Sequence, residues 1–332
     1  CRAPALLQRG GPRCVAAASA SLDGQTIGFI GLGKIGSGMV GNLLKANASV
    51  VVFDPDASAL GAAEQGGAAA AANAADVAAR AGVVFTALPD DRVLNAVAGE
   101  LLPALPEGSV HVSCSTVGPS TTRALAKAHA ARGVGFVTAP VFARPDGMRR
   151  GDASIPVSGP SWAKARAIPA LQVTSKEVKD FGEEPGAASV VKLGGNFLIA
   201  AAIQSIAEAA ALAESHGVDR EEFVSWMSST IFDCLIYRGY GHRVAARDHH
   251  PYPDAHFALD LGSKDVRLIY ETAAEGKCPM PIASLLRDRY VASQNAGRGK
   301  LDWSALALRV SEDAGVDVSE TLAVLLKEKP AD

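Results

Sequence analysis

Three glycines, Gly31, Gly33 and Gly36, follow the uncharged run Ile27, Phe29, Ile30 and Leu32 at the spacing G-x-G-x-x-G. The first position suits a tight turn, the second an approach of main chain to a pyrophosphate, and the third close packing of a helix on the strand before it. That helix opens with backbone N–H groups and the positive end of its dipole, so the turn Gly31, Leu32, Gly33, Lys34, Ile35 and Gly36 is equipped to hold an anion. Asp54 lies 18 residues beyond Gly36, where a dinucleotide fold puts the acid that hydrogen-bonds an adenosine ribose. A carboxylate there accepts from a ribose 2′-OH and repels a 2′-phosphate. No arginine stands among Pro55, Asp56, Ala57 and Ser58 to receive that phosphate, so NAD is expected in preference to NADP. Asp56 fits a helix N-cap better than a ligand contact.

Ser115 and Thr116 leave a strand predicted at 110–113, and open parallel sheets bind ligands outside the carboxyl ends of their strands. They are placed to touch a nicotinamide or a substrate, or else to cap the helix starting near Ser120, and capping is expected of at least one. Arg144 offers a planar fork of donors to a substrate carboxylate. The competing reading is a surface arginine beside Arg149 and Arg150. Lys192 falls in the first turns of a long apolar helix, where an ammonium must snorkel, pair, or serve chemistry. Asn196, four residues on, shares its face, and Gly194 and Gly195 leave space beside it.

The elements around these residues must position them. The glycine turn has a strand before it, a helix with Ile35, Met39, Leu43 and Leu44 on one face, a stop at Asn47 and a second strand at 50–53, a complete β-α-β unit. The alanine-rich segment 57–81 reads as two helices around a short strand, broken at Gly66 and Gly67. Strands follow at 83–87, 110–113 and 135–138, with helices after Asp90 and Pro119. Short strands at 155–158 and 178–181 flank a helix from Ser161 and finish the first domain near Pro185. From 187 to 216 the chain is helical by pattern, too long and too apolar for a surface helix, so it is expected to run between two domains. Beyond it only helices are read: Asp219 caps one reaching Ser228, and others cover 257–275 and 281–295. The fold class is α/β: a leader over 1–23, a doubly wound, mostly parallel Rossmann sheet over 24–185, and an all-α domain over 186–330 that includes the interdomain helix.

At 332 residues, with 48% hydrophobic and 20% charged content, the chain is long enough for two domains with sizeable cores. A net charge of -3 implies neither nucleic acid nor an anionic membrane as partner. Glycine, charge and polar residues interrupt every long apolar stretch, so no membrane span is expected. Cys1, Cys14, Cys114, Cys234 and Cys278 form no C-x-x-C pair and read as reduced thiols, with Cys114 a buried packing residue. The apolar surface of the helical half exceeds what one small bundle hides, which points to a homodimer or homotetramer. Arg2, Arg9 and Arg13, with no acid before Asp23, give the leader the composition of an organelle transit-peptide remnant. A plastid or mitochondrion is expected, with the cytoplasm as alternative. Asp248, His249, His250, Asp254 and His256 form the one metal-like cluster, but its prolines and irregular spacing argue for a polar loop, and no metal is expected.

Four blocks, IGFIGLGKIGSGMVGNLLKA, CSTVGPST, VVKLGGN and FALDLGSKDVRL, succeed one another over about residues 26–310, and LPDD at 88–91 and GDASIPVSG at 151–159 match as well. In this order and spacing the chain resembles the β-hydroxyacid dehydrogenase family, which includes 3-hydroxyisobutyrate dehydrogenases, tartronate semialdehyde reductases and glyoxylate/succinic semialdehyde reductases. The resemblance implies an NAD(P)-dependent enzyme passing a hydride between nicotinamide and a small carboxylate-bearing 3-hydroxy acid, short aldehyde or 2-oxo acid. It implies Lys192 as acid/base, Asn196 in holding substrate, Lys264 beside the nicotinamide, Ser115 and Thr116 facing cofactor and substrate, and Leu88 and Pro89 at the cofactor. Asp265 is implied as a structural partner.

One departure concerns the substrate. The family usually has a serine and two glycines after A-P-V, whose small backbone binds the acid group, but Phe142, Ala143 and Arg144 occupy those places here. A bulkier or more apolar 2-oxo or aldehyde acid is therefore expected. Two rivals are an imine reductase on the same scaffold, which would usually lack the pair Lys192 and Lys264, and a non-catalytic cofactor-binding reader protein, which would lack Lys192.

Overall fold

The structure, a computed structural model, describes residues 14–15, 21–251 and 255–327. Most of the leader, Asp254 of the histidine cluster and the chain after 327 lie outside the described residues. Two compact units, Cys1–Lys192 and Leu193–Asp332, divide inside one long helix.

The first unit holds strands β1 (Cys14–Val15), β2 (Thr26–Ile30), β3 (Ser49–Phe53), β4 (Ala69–Ala70), β5 (Val83–Thr86), β6 (Val110–Ser113), β7 (Gly135–Thr138), β8 (Ala153–Val157) and β9 (Ser175–Asp180). Between them run α1 (Lys34–Lys45), α2 (Ala57–Gln65), α3 (Ala74–Arg80), α4 (Asp91–Leu101), α5 (Pro119–Ala130), α6 (Pro145–Arg150) and α7 (Ser161–Gln172). Six strands pair in parallel in the order β4-β3-β2-β5-β6-β7. Counted from β2 this is 3-2-1-4-5-6, the doubly wound order whose direction reverses between its first and fourth strands. Alternate side chains feed two cores: Phe29, Val52, Phe85 and Val112 on one face, and Ile30, Val51 and Val84 on the other, where Val77 of α3 joins them. Burial on both faces is why these strands read as continuous apolar runs.

The strands β8 and β9 do not extend that sheet. They pair in parallel with each other, and β1 adds to β9 antiparallel, with Cys14 opposite Lys179 and Val15 opposite Val178. The two sheets meet at a bridge between Thr138 and Ser158.

The second unit is built by the later part of α8 (Ala187–Ser215) with α9 (Arg220–Ser229), α10 (Leu235–Ala245), α11 (Leu259–Glu275), α12 (Pro281–Asn295), α13 (Leu306–Asp313) and α14 (Ser319–Leu325). No strand occurs in it among the described residues. Its core gathers Ile203, Ala207, Tyr240, Leu286, Tyr290 and Trp303. Gly262 lets α11 approach that core, since a Cβ there would lie 2.8 Å from the Tyr290 ring. Length and apolar composition alone would let α8 cross a membrane, and Ala200, Ile203, Ala207 and Ala210 bury one side of it in the helical core. Leu198 and Leu212 on the same helix are exposed, so within one chain the helix does have a surface side, contrary to the expectation that it is too apolar for one.

His249 corrects the polar-loop reading of its segment. It is fully buried, with Nδ1 2.9 Å from Ser304 Oγ. Burial, reinforced by Arg243, Arg220 and Arg247, lowers its pKa to about 3, so it is a neutral core histidine. Among the described residues no group of three or more His, Cys, Asp or Glu side chains is placed to hold a metal.

Candidate active site

Sterics account for two of the three glycines after β2. Gly31 has φ +95°, and a Cβ on it would lie 2.4 Å from the Ala87 carbonyl oxygen. A Cβ on Gly36 would come within 1.9 Å of the Gly31 carbonyl oxygen, so α1 rests directly on the turn. Gly33 faces open space, with no atom within 4 Å of where its Cβ would be. The helices α2, α3 and α4 are capped by the side chains of Asp56, Asn73 and Asp90. In contrast α1, capped by Gly33, has no side-chain cap and no acid in its first turn. Open space in front of such a helix N-terminus fits a dinucleotide pyrophosphate.

Asp54 leaves the end of β3 half-buried. Its Oδ2 accepts from the Leu32 N–H at 2.6 Å and its Oδ1 from the Asp56 N–H at 2.8 Å. Each carboxylate oxygen keeps a further lone pair, so Asp54 can fix the glycine turn and still accept from a ribose hydroxyl. Asp56 caps α2 through Ser58 and Ala59, as expected.

At the next strand ends, Ser115 Oγ accepts from the Leu88 N–H at 2.8 Å, which ties the loop after β6 to the loop after β5. Capping is not the role of either hydroxyl: the N-cap of α5 is Gly118, whose N–H donates to Asp91 Oδ1 at 2.9 Å. Pro119 opens α5 without an N–H of its own, and Asp91 reaches the cap from α4. Thr116 is half-buried and Pro89 exposed at the same ends. Cys114 is buried, and burial pushes its thiol up to about 12, which leaves it a packing residue with no thiolate at neutral pH.

The segment after β7 is held at both ends. Phe142 exchanges two main-chain hydrogen bonds with Ser154, at 3.0 and 3.1 Å. Arg144 is the N-cap residue of α6, a helix the sequence did not announce because Pro145 and Gly147 look like a turn. Pro145 sits at the start, where a missing N–H costs nothing. The helix docks on α1, where Asn42 Nδ2 donates to the Met148 carbonyl at 2.7 Å and a Cβ on Gly38 would touch Met148. Half-buried Arg144 thus differs from exposed Arg149 and Arg150, the last paired with Asp146 and Asp152.

Ser158 fixes the start of α8: its Oγ accepts from the Ala188 N–H at 3.1 Å and donates to the Pro185 carbonyl at 3.0 Å. One turn later Lys192 is 8% exposed, and its Nζ lies 4.1 Å from the centroid of the Phe142 ring. Lys192 therefore does not snorkel.

In the second unit Asn196 Nδ2 donates to Asp265 Oδ2 at 2.6 Å, and Lys264 Nζ is 2.9 Å from Asp265 Oδ1. An ionised carboxylate only accepts, so Asp265 fixes which way the Asn196 amide points. Asp265, buried at 1% exposure, is the structural partner the resemblance implied, and it orders both neighbours at once.

A parallel sheet of this order, with a glycine turn, an uncapped helix N-terminus and an acid at the next strand end, defines a dinucleotide-binding domain. Residues 26–182 match the profile of the NAD-binding domain of 6-phosphogluconate dehydrogenase, and residues 186–311 that of the NAD-binding domain of NADP-dependent 3-hydroxyisobutyrate dehydrogenase. The chain belongs to the β-hydroxyacid dehydrogenase family and is an NAD(P)-dependent dehydrogenase-like enzyme. It is 32% identical over 298 residues to 2-(hydroxymethyl)glutarate dehydrogenase of Eubacterium barkeri, covering 88% of this chain and 97% of that protein. To 3-hydroxyisobutyrate dehydrogenase of Pseudomonas aeruginosa it is 31% identical over 306 residues, 84% of this chain and 96% of that one. The crystal structure of 3-hydroxyisobutyrate dehydrogenase from Salmonella typhimurium superposes with a TM-score of 0.79 at 26% identity, over 86% of this chain and 99% of that one.

Proposed function

We propose that this enzyme transfers a hydride reversibly between nicotinamide and a carboxylate-bearing 3-hydroxy acid, short aldehyde or 2-oxo acid, with Lys192 as acid/base. The observation that carries the reading is the burial of Lys192, on a helix start fixed by Ser158, with its Nζ against an aromatic face. Keeping an ammonium from water is costly unless it gains a partner or a task. The names of the two relatives are those of hydroxy acids, which supports the substrate class.

Gly31, Leu32, Gly33, Lys34, Ile35 and Gly36 hold the pyrophosphate in this reading, and Asp54 the adenosine ribose. Leu88, Pro89 and Thr116 line the cofactor, and Lys264 is assigned beside the nicotinamide by the family resemblance. Bound nicotinamide supplies the hydride at C4. Lys192 donates a proton from Nζ as negative charge grows on the carbonyl oxygen, and in oxidation the neutral amine takes the hydroxyl proton. Ser115, Ala143, Arg144 and Asn196 contact the substrate, with Arg144 on its carboxylate. Asp54 favours NAD over NADP through repulsion of the 2′-phosphate.

The test is Lys192→Ala assayed by NADH oxidation against glyoxylate, succinic semialdehyde and larger 2-oxo acids. Turnover is expected to fall by roughly 10²- to 10⁴-fold with cofactor affinity unchanged. Retained turnover removes Lys192 from the reaction. Activity on cyclic imines alone would make the protein an imine reductase, and cofactor binding with no turnover of any compound would make it a reader protein.

A further inference from the structure

We infer that Phe142 is a positioning residue for the ammonium of Lys192, a seat this chain has built where the family usually carries a serine. The inference rests on Lys192 being the acid/base. Nζ lies 4.1 Å from the ring centroid, inside the distance at which the negative face of an aromatic ring attracts a cation. Such attraction grows when the cation is desolvated, and Lys192 is among the buried residues.

Both partners have fixed main chain, so the contact is not a chance meeting of two mobile side chains. Phe142 is held by its two hydrogen bonds to Ser154 and follows Pro140 and buried Val141. Its far side is anchored by α6, through Asn42 and the Met148 carbonyl. Lys192 stands one turn into a helix whose Ala188 N–H is tied to Ser158 Oγ, which in turn donates to the Pro185 carbonyl just before the helix. A lysine has four side-chain torsions and loses much entropy when confined. The ring confines Nζ on one side through its face and offers no oxygen to accept one of the ammonium protons. A serine at this place would instead accept one of those protons. Phe142 therefore substitutes an electrostatic seat for a hydrogen-bonding one.

The prediction concerns the ring face and not bulk, which an aliphatic series separates from an aromatic one. Phe142→Leu and Phe142→Met keep an apolar side chain and remove the π face, whereas Phe142→Tyr and Phe142→Trp keep it. With the best substrate of the panel, kcat for the Leu and Met variants is expected to fall roughly 5- to 30-fold, the rate equivalent of a desolvated cation–π contact. KM and NADH affinity should change little, and Tyr and Trp should restore most of kcat. Two aliphatic variants are used so that a folding defect in one, seen in thermal melts, leaves the other to decide. If Leu or Met turns over like the parent, or Tyr and Trp are as slow as Leu, the ring does not seat the lysine. Lys192→Ala in parallel keeps the two claims apart: a dead Lys192→Ala with an unaffected aliphatic variant overturns only the seat, and an active Lys192→Ala overturns the acid/base reading beneath it. In the Lys192→Ala background, removing the ring should have no further effect on the residual rate.

Discussion

Asp54 has two tasks for one carboxylate, since it holds the Leu32 and Asp56 N–H groups and is also the acid proposed to select the cofactor. Asp54→Asn separates them in part: its single amide oxygen can still accept from the Leu32 N–H of the turn, at the loss of the bond from the Asp56 N–H, while the charge that repels a 2′-phosphate is gone. The ratio of kcat/KM with NADPH to that with NADH is expected to rise about tenfold, equivalent to about 1.4 kcal/mol. An unchanged ratio would show that the charge does not discriminate between the two cofactors. Residues of this kind were legible in the sequence because their constraint is local: Gly31 and Gly36 are demanded by the turn itself, and Asp56 by the helix it begins. The partners of Ser115 and Lys192 were not legible. Leu88 and Phe142 come to them from other strand ends, and no periodicity links residues that meet only through folding.

Three elements, β5, β6 and α5, are joined by a buried chain of polar groups that the apolar pattern concealed. Thr86 Oγ1 lies 3.0 Å from His111 Nε2, His111 Nδ1 lies 3.0 Å from His129 Nε2, and His129 Nδ1 lies 2.7 Å from the Leu125 carbonyl oxygen. The carbonyl can only accept, so His129 carries its proton on Nδ1; His111 then donates from Nδ1, and Thr86 donates to His111 Nε2. Every link is satisfied with both rings neutral, and a further proton breaks one. Burial lowers the pKa of both, and for His111 the neighbouring His129 adds to it. Folded pKa values below the unfolded one, near 6.5, mean that the unfolded chain binds more protons as pH falls. Stability is therefore lost on acidification below about pH 6.5, by up to about 1.4 kcal/mol per pH unit for each histidine. His129→Gln should lower stability at pH 7.5 but flatten its slope between pH 7 and 5.5 in denaturant titrations. A slope equal to the parent's would mean that the rings ionise in place. At this scale the parallel strands and their helices were readable from apolar runs and periodicity, whereas α6 and α10 were hidden by glycine and proline in short segments. The separate sheet of β1, β8 and β9 was hidden because pairing is chosen by distant main chain.

For the chain as a whole, the alternation of strand and helix followed by helices alone announced an α/β unit and an α unit, and both are present. What a single chain leaves uncovered is a separate matter. In the helical unit Ile231 is 82% exposed, Leu198 67%, Leu235 66%, Leu212 63% and Trp226 60%. Isolated apolar residues on a surface are ordinary, but five large ones on α8, α9, α10 and the turn between the last two exceed scatter. Leu198 and Leu212 lie on α8 at a separation of 14 residues, two heptads, and so fall on nearly the same side of it. A helix keeping such a stripe in water gives up the hydrophobic gain that closed symmetry would recover, and a twofold partner would cover the stripe with the same stripe. We therefore expect a homodimer or homotetramer, and sedimentation equilibrium decides it. Leu198→Glu with Leu212→Glu should shift the protein toward monomer while leaving NADH affinity intact, because the charges would face each other across the interface. A parent enzyme that sediments as a monomer at tens of micromolar, well above the dissociation constants of stable interfaces, would mean that the stripe is tolerated bare.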